Sequence, residues 1–314
     1  MRYPKGTKLR LLVGLCGAAA LSVAAVAWAA PVTLPDPDDT TSQLIKLDVA
    51  GDAFFDPYQP PDIYNDGCAL GDGVPDTYED EDDTGFTPAS DGESDDGSSD
   101  EFDGGLILSV EGAIFEDANR SGDLVGERLT VGPTKLKGLS VMRVETGLQG
   151  SPTLRSLIKL KNKSKRKAKK RSITWESDFG ADQSEVVRAT SSGDESLAGS
   201  DRWLVFADSE TAPGDAVGTL VLYGKGKGVK RTTVANGISD QDGCIRHTIR
   251  VKVPKRSSRY LLFFTEVHNS DEDGVGQAES DAAKFNSKKP GGGVIAGLKK
   301  SVKKKVLNWD LVKD

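Results

Sequence analysis

From about residue 105 onward the chain alternates apolar and polar positions with a period of two. His247, Ile249, Val251 and Val253 stand against Thr248, Arg250 and Lys252, the pattern of an antiparallel strand with one face buried and the other solvated. Leu139, Val141 and Arg143 likewise share one face of the run 139–145, with Met142 and Val144 on the other. Runs rich in β-branched, aliphatic and aromatic residues at 106–110, 113–115, 154–160, 172–175, 216–223 and 260–268 predict further strands. The runs 185–190 and 201–208 flank Ser191, Ser192, Gly193 and Asp194, whose small size and local hydrogen bonding suit a turn, so they predict a strand pair. Residues 161–171 are mostly lysine and read as a hairpin joining the strands on either side. Many short strands with Gly/Asp/Lys turns and almost no helical period predict an all-β fold, an antiparallel β-sandwich. At the C-terminus Ile295, Leu298, Val302, Val306 and Leu307 fall at helical spacing among lysines, which predicts one short amphipathic helix within 294–307.

The N-terminal third follows other rules. Arg2, Lys5, Lys8 and Arg10 precede an apolar run at 11–27, and Ala27-Trp28-Ala29 offers small residues where a signal peptidase cuts. Residues 1–29 are therefore expected to be an export signal cleaved before Ala30, placing the protein outside the cell. A retained anchor is the alternative, but no stop-transfer flank follows, and no other stretch is apolar enough to span a bilayer. Cys16 lacks the small residue a lipoprotein signal needs before it, since Leu15 stands there. Residues 30–55 read as a lead-in strand of the β domain, with Leu44, Lys46 and Asp48 alternating against Ile45, Leu47 and Val49. Residues 56–104 are dominated by Asp, Glu, Gly, Ser and Pro. Such a segment cannot bury enough apolar surface to offset its ordering entropy, so it is expected to be a disordered acidic insertion. The sandwich is expected at 105–285 and a basic helix and tail at 286–314.

With 314 residues, 37% hydrophobic and 28% charged, the chain has material for a buried core and polar tails. Its formal net charge of -7 hides a division. Lys46 is the sole basic residue between Asp36 and Asp103, whereas Lys and Arg gather at 155–171 and 284–305. Clustered cations attract polyanions. Aromatic interleaving is absent and an exported protein seldom meets nucleic acid, so the expected partners are cell-wall polyanions or extracellular polysaccharide, with no nucleic acid. Signal removal leaves Cys68 and Cys244 in an oxidising compartment, either as one disulfide or as two free thiols.

Calcium is the cofactor these acids suggest. Asp66, Asp72 and Asp76 lie in the stretch 65–76, which resembles the aspartate-rich calcium repeats of thrombospondin-type or adhesin stalks around its DGVPD core, without their repeated DxDxDG. Carboxylates and carbonyls suit a hard cation taking six to eight oxygens, and Gly permits the tight turn. Asp117, Asn119, Ser121 and Asp123 repeat oxygen side chains at alternate positions, but Arg128 stands where a bidentate Glu is expected. The stretch 269–274 opens in the same way with Ser280 in that place. Each stretch also fits an ordinary Asp/Asn/Gly turn.

Six motifs in a fixed order carry a family resemblance. They are 139–144 (LSVMRV), 158–162 (IKLKN), 177–182 (SDFGAD), 189–194 (ATSSGD), 201–203 (DRW) and 261–264 (LLFF), closed by Leu307-Asn308-Trp309-Asp310. Together they resemble a β-sandwich module of secreted bacterial proteins, with GLTVxR, LxNxT, NLGSD, TSSGD, DRW and LNWD signatures. The chain departs from that module at Asp178-Phe179-Gly180-Ala181-Asp182 and in its lysine-rich connection. The resemblance implies a sandwich and export, and no activity.

No catalytic constellation is expected. Nucleophilic chemistry needs a base within hydrogen-bond reach, and His247 and His268 are the only histidines. His247 falls on a strand face and His268 at a strand end, positions of packing or surface residues. No Ser stands in a GxSxG elbow. Asp194 and Asp201 are the best carboxylate pair for glycoside hydrolysis, though Asp201 beside Arg202 suits a buried or turn-capping salt bridge, and Arg202 and Trp203 suit core and brace positions. Gly224-Lys225-Gly226-Lys227-Gly228 lacks a phosphate loop's GK[ST] ending and reads as a turn. The expected function is an exported non-catalytic structural or binding protein of the cell exterior. The alternative is a carbohydrate-binding or carbohydrate-active protein using a sheet face or loop end.

Overall fold

The alternating runs form strands because each can bury one face while its backbone groups pair with neighbours. The computed structural model describes residues 32–34, 44–47, 92–93, 104–115, 122–125, 128–148, 151–178, 185–208, 217–225, 245–268, 272–287 and 289–312. In chain order the strands are β1 (Val32–Leu34), β2 (Leu44–Leu47), β3 (Gly92–Glu93), β4 (Gly104–Val110), β5 (Ala113–Ile114), β6 (Gly122–Val125), β7 (Arg128–Leu136) and β8 (Leu139–Gly147). They continue with β9 (Thr153–Asn162), β10 (Lys169–Asp178), β11 (Glu185–Thr190), β12 (Trp203–Asp208), β13 (Val217–Val221), β14 (Ile245–Val253) and β15 (Ser257–His268), then helices α1 (Glu272–Lys284) and α2 (Lys300–Lys303).

Two antiparallel sheets make the sandwich. The smaller has the order β14-β10-β4-β5, the larger β11-β12-β13-β15-β9-β8-β7-β6, and β1-β2-β3 form a separate small sheet. Between the two sheets lies a cluster including Leu108, Val141, Ile158, Leu160, Ile173, Trp175, Phe206, Ile249, Leu261 and Phe263. A second cluster covers the other face of the eight-stranded sheet, where Val205, Leu262 and Phe264 meet Ala278 and Ala282 of α1 and Phe285, Ile295, Val306 and Trp309 beyond it. Strand β15 is thus covered on both faces, which is why Leu261-Leu262-Phe263-Phe264 shows no alternation. Full burial of each such side chain is worth about 1.5–3 kcal/mol.

The C-terminal segment is tied to this outer face by side chains that imitate backbone. Asn308 is fully buried. Its Oδ1 accepts from the Leu262 amide at 3.0 Å, and its Nδ2 donates to the carbonyls of Leu222 and Leu262 at 2.8 and 2.7 Å. Trp309 donates its indole N–H to the same Leu262 carbonyl at 2.8 Å and packs on Phe264 and Phe285. A Cβ on Gly224 would stand 2.4 Å from the Trp309 ring, so glycine at this turn is required by close approach.

Three expectations are corrected. The lysine-rich connection is no hairpin: β9 pairs with β8 and β15 in the large sheet, whereas β10 pairs with β4 and β14 in the small one. Residues 163–168 therefore arch between sheets, since strand patterning specifies a buried face and leaves the pairing partner open. The helical period at 294–307 yields only the single turn α2 among other turns, and the longer helix is α1. Its composition, EDGVGQAESDAAK, is polar with two glycines, so packing on the sheet and not propensity stabilises it. Strands β6 and β7 form a hairpin where no strand is expected, because Gly132 and Pro133 interrupt the period.

Candidate functional site

Two buried polar clusters and one charged end stand out. The first cluster lies between the sheets. Arg143 and Glu145, both fully buried, project from the inner face of β8 and pair through Nε and Oε1. The Ser156 hydroxyl donates to Glu145 Oε2, and Arg143 Nη1 donates to the Leu106 carbonyl at 2.8 Å. The guanidinium lies 4.7 Å from the Trp175 ring centre, and Trp175 stacks on Phe263 at 4.5 Å. Leu106 holds a left-handed backbone, φ 61°, which costs of order 1–3 kcal/mol. Its amide donates to Ser177 Oγ at 3.0 Å while its carbonyl accepts from Arg143, so the cluster holds that conformation. His247 continues the same layer, stacked 5.7 Å from Tyr223 and edge-on to Phe263 at 6.2 Å. Burial pushes its imidazole down to about 3, so it is a neutral packing group at ordinary pH.

The loop between β11 and β12 is a closed knot of its own. Asp201 Oδ1 accepts from the Ser191 hydroxyl and from the amide and hydroxyl of Ser192, and Oδ2 accepts from the Ala198 amide. Asp194 accepts from Thr190 and Ser192 hydroxyls and the Ser196 amide, and the Thr190 bond above all holds its carboxyl below the usual range. Both acids of the candidate hydrolytic pair are thus engaged in shaping the loop. Asp201 caps the turn through neutral donors, and Arg202 instead donates to Asn286 Oδ1, as does the Trp203 indole at 3.1 Å. The resemblance motifs around Ser191, Arg202, Trp203 and Asn308 are braces.

The second cluster lies under α1, on the outer face of the large sheet. Glu266, His268 and Asp281 bring one ligand-type atom each within 4.8 Å of one another. Glu266 and His268 are 3% and 1% exposed, and His268 Nε2 stands 3.9 Å from Glu266 Oε2. The Thr153 hydroxyl donates to Glu266 Oε1 and is itself 2.6 Å from the Ser151 hydroxyl. Glu266 Oε2 and both ring nitrogens of His268 have no hydrogen-bond partner among the described residues. Sequence reasoning missed this site because its ligands come from β15 and α1; the i, i+2 spacing of Glu266 and His268 on one strand face was the available signal.

The charged end is built from turns. The Asn162 amide donates to the carbonyls of Lys167 and Val253 at 2.9 and 3.1 Å, and its oxygen accepts from the Ser164 amide. The Arg256 amide donates to the Ser164 carbonyl, so the β9–β10 and β14–β15 arches stand side by side. Arg171 reaches the Lys137 carbonyl in the β7–β8 turn at 2.8 Å and pairs with Glu111 at 3.5 Å. Lys137, Lys163, Lys165, Arg166, Lys167, Lys255 and Arg256 are exposed there.

Asp66, Asp72, Asp76, Asp117, Asn119, Ser121, Cys68 and Cys244 lie outside the described residues, as do the export signal and most of the acidic insertion. Asp123 falls in β6, opposite Thr130. Of the third calcium candidate, Glu272, Asp273 and Gly274 open α1. No described helix is long and apolar enough to cross a membrane.

No protein-family model matches the chain, and no curated protein matches its sequence. Among solved structures it is similar in outline to a protein assigned as an aldose 1-epimerase from Klebsiella pneumoniae, at 11% identity and a TM-score of 0.39, over 79% of this chain and 82% of that one. A galactose mutarotase related enzyme from Lactobacillus acidophilus is similar at 7% identity and a TM-score of 0.37, over 77% and 99% of the two chains.

Proposed function

We propose that the protein is an exported, non-catalytic sandwich module that binds acidic polysaccharide of the cell exterior through its cationic end. The observation that carries this reading is the convergence of exposed lysine and arginine on two arches held side by side by Asn162 and Ser164. Binding an anionic chain there costs little ordering of the backbone, because those hydrogen bonds already fix it. Long flexible lysines present several point charges without bidentate geometry, which suits a repeating anion more than one defined ligand. The residues at 1–29 support export. The non-catalytic part rests on the two imidazoles, which are buried in different layers, His247 between the sheets and His268 beneath α1.

The test is retention on immobilised heparin, used as a generic sulfated polysaccharide, at low salt. Exposed charges are screened beyond about 8–10 Å at physiological ionic strength, so elution is expected at moderate salt and earlier still for K163E/K165E/K167E with an unchanged melting temperature. Flow-through of the wild type at low salt would remove the reading. A mutarotation and hydrolysis screen on free and polymeric sugars forms a second arm, in which turnover would replace binding by catalysis.

A further inference from the structure

We infer that Glu266, His268 and Asp281 form a binding site for a divalent transition-metal ion, with zinc the best match. The argument is independent of the cationic end. A buried carboxylate oxygen and two buried imidazole nitrogens with no hydrogen-bond partner among the described residues are costly to desolvate. A second carboxylate beside them adds repulsion that a bound cation would relieve. Arg155, two residues from Thr153 on β9, donates through Nη1 to the carbonyls of Val294 and Ala296 at 3.0 and 2.8 Å. Lys284 is 69% exposed and reaches Asp281 Oδ1 from the solvent side, leaving the second oxygen of that carboxylate.

The donor set chooses the metal. One imidazole with two carboxylates is too nitrogen-rich for calcium and too oxygen-rich for copper(I), and it lies within the range zinc accepts. Zinc ligands sit about 2.0–2.2 Å from the ion, which puts them roughly 3.4 Å apart around a tetrahedron. The 3.9 Å between His268 Nε2 and Glu266 Oε2 is close to that, and a rotation of Asp281 on α1 closes the rest. Support behind the ligands is present too, since Thr153 orients Glu266 and Ser151 orients Thr153. Three protein ligands leave a fourth position for water. The ion would clip α1 to the end of β15.

Full-length mature protein, stripped with chelator and dialysed, tests the inference by titration with Zn²⁺ and with Co²⁺ as a coloured substitute. One ion per chain, a visible Co²⁺ absorption of tetrahedral intensity and a metal-dependent rise in melting temperature are expected. Asp281→Asn keeps the size of a side chain that is only 23% exposed and should weaken Zn²⁺ binding tenfold or more while its circular dichroism stays native. Glu266→Gln, buried and riskier to fold, is the second variant and should lose the Co²⁺ band. No Co²⁺ band at millimolar metal, equal Zn²⁺ affinity in folded Asp281→Asn, or stabilisation by Ca²⁺ with none by Zn²⁺ would each overturn the site.

Discussion

The two buried polar clusters are made of similar groups and differ in one respect. Between the sheets Glu145 has its own cation, Arg143, and a hydroxyl donor in Ser156. Under α1, Glu266 has the Thr153 hydroxyl and faces an imidazole and another carboxylate. A buried charge compensated inside the chain is part of the architecture, because removing either partner strands the other in a low dielectric. A buried charge without such compensation directs attention to something the chain lacks. The comparison separates structure from binding more reliably than the sequence motifs do, since the motif residues Ser191, Asp201 and Asn308 all prove to be braces.

The comparison can be broken most directly at Arg143. Arg143→Met should destabilise the protein by about 3–5 kcal/mol, by leaving Glu145 charged and unpaired, and Arg143→Met/Glu145→Met should recover much of that. Urea unfolding midpoints measure both; a single variant costing under about 1 kcal/mol would show the pair to be dispensable. In the outer layer, Gly224→Ala should cost about 1–3 kcal/mol by driving a methyl group into Trp309, read in the same assay. His247 supplies a pH test. Its folded pKa, about 3, lies below the unfolded value of 6.5, so its contribution is complete above 6.5 and declines as pH falls towards 3. The slope from this group approaches about 1.4 kcal/mol per pH unit, and His247→Phe should flatten that limb of the stability profile. The smallest effect is expected for metal-free Asp281→Asn, within about 0.5 kcal/mol of wild type or slightly stabilising, since it removes one of two facing carboxylates. A large loss there would make the outer cluster architectural like the inner one.

Much of the fold was legible in the chain. Alternation at 247–253 and 139–145 located strands and their buried faces, and Ser191 to Asp194 marked the β11–β12 connection as predicted. The arches were not legible, because Leu160 and Ile173 both face the sandwich interior yet belong to different sheets. Helix α1 was hidden because Ala278 and Ala282, with Phe285 just past its end, offer a thin apolar stripe that matters only against Leu262 and Phe264. Of the candidate site residues, the two histidines were placed on strands and expected to be packing or surface residues, and packing suits His247. His268 gained a different meaning only when Asp281 came to lie beside it.

The sequence by itself determined which positions face inward, since a period of two follows from strand geometry and needs no knowledge of partners. It also determined that cations and acids occupy separate stretches. The tertiary structure alone decided which strands pair, that two lysine- and arginine-bearing arches meet at one end, and that three ligand-type side chains share a buried space. Those depend on residues far apart in the chain, and their juxtaposition is set by how the sheets and α1 stack, a property that no local pattern carries.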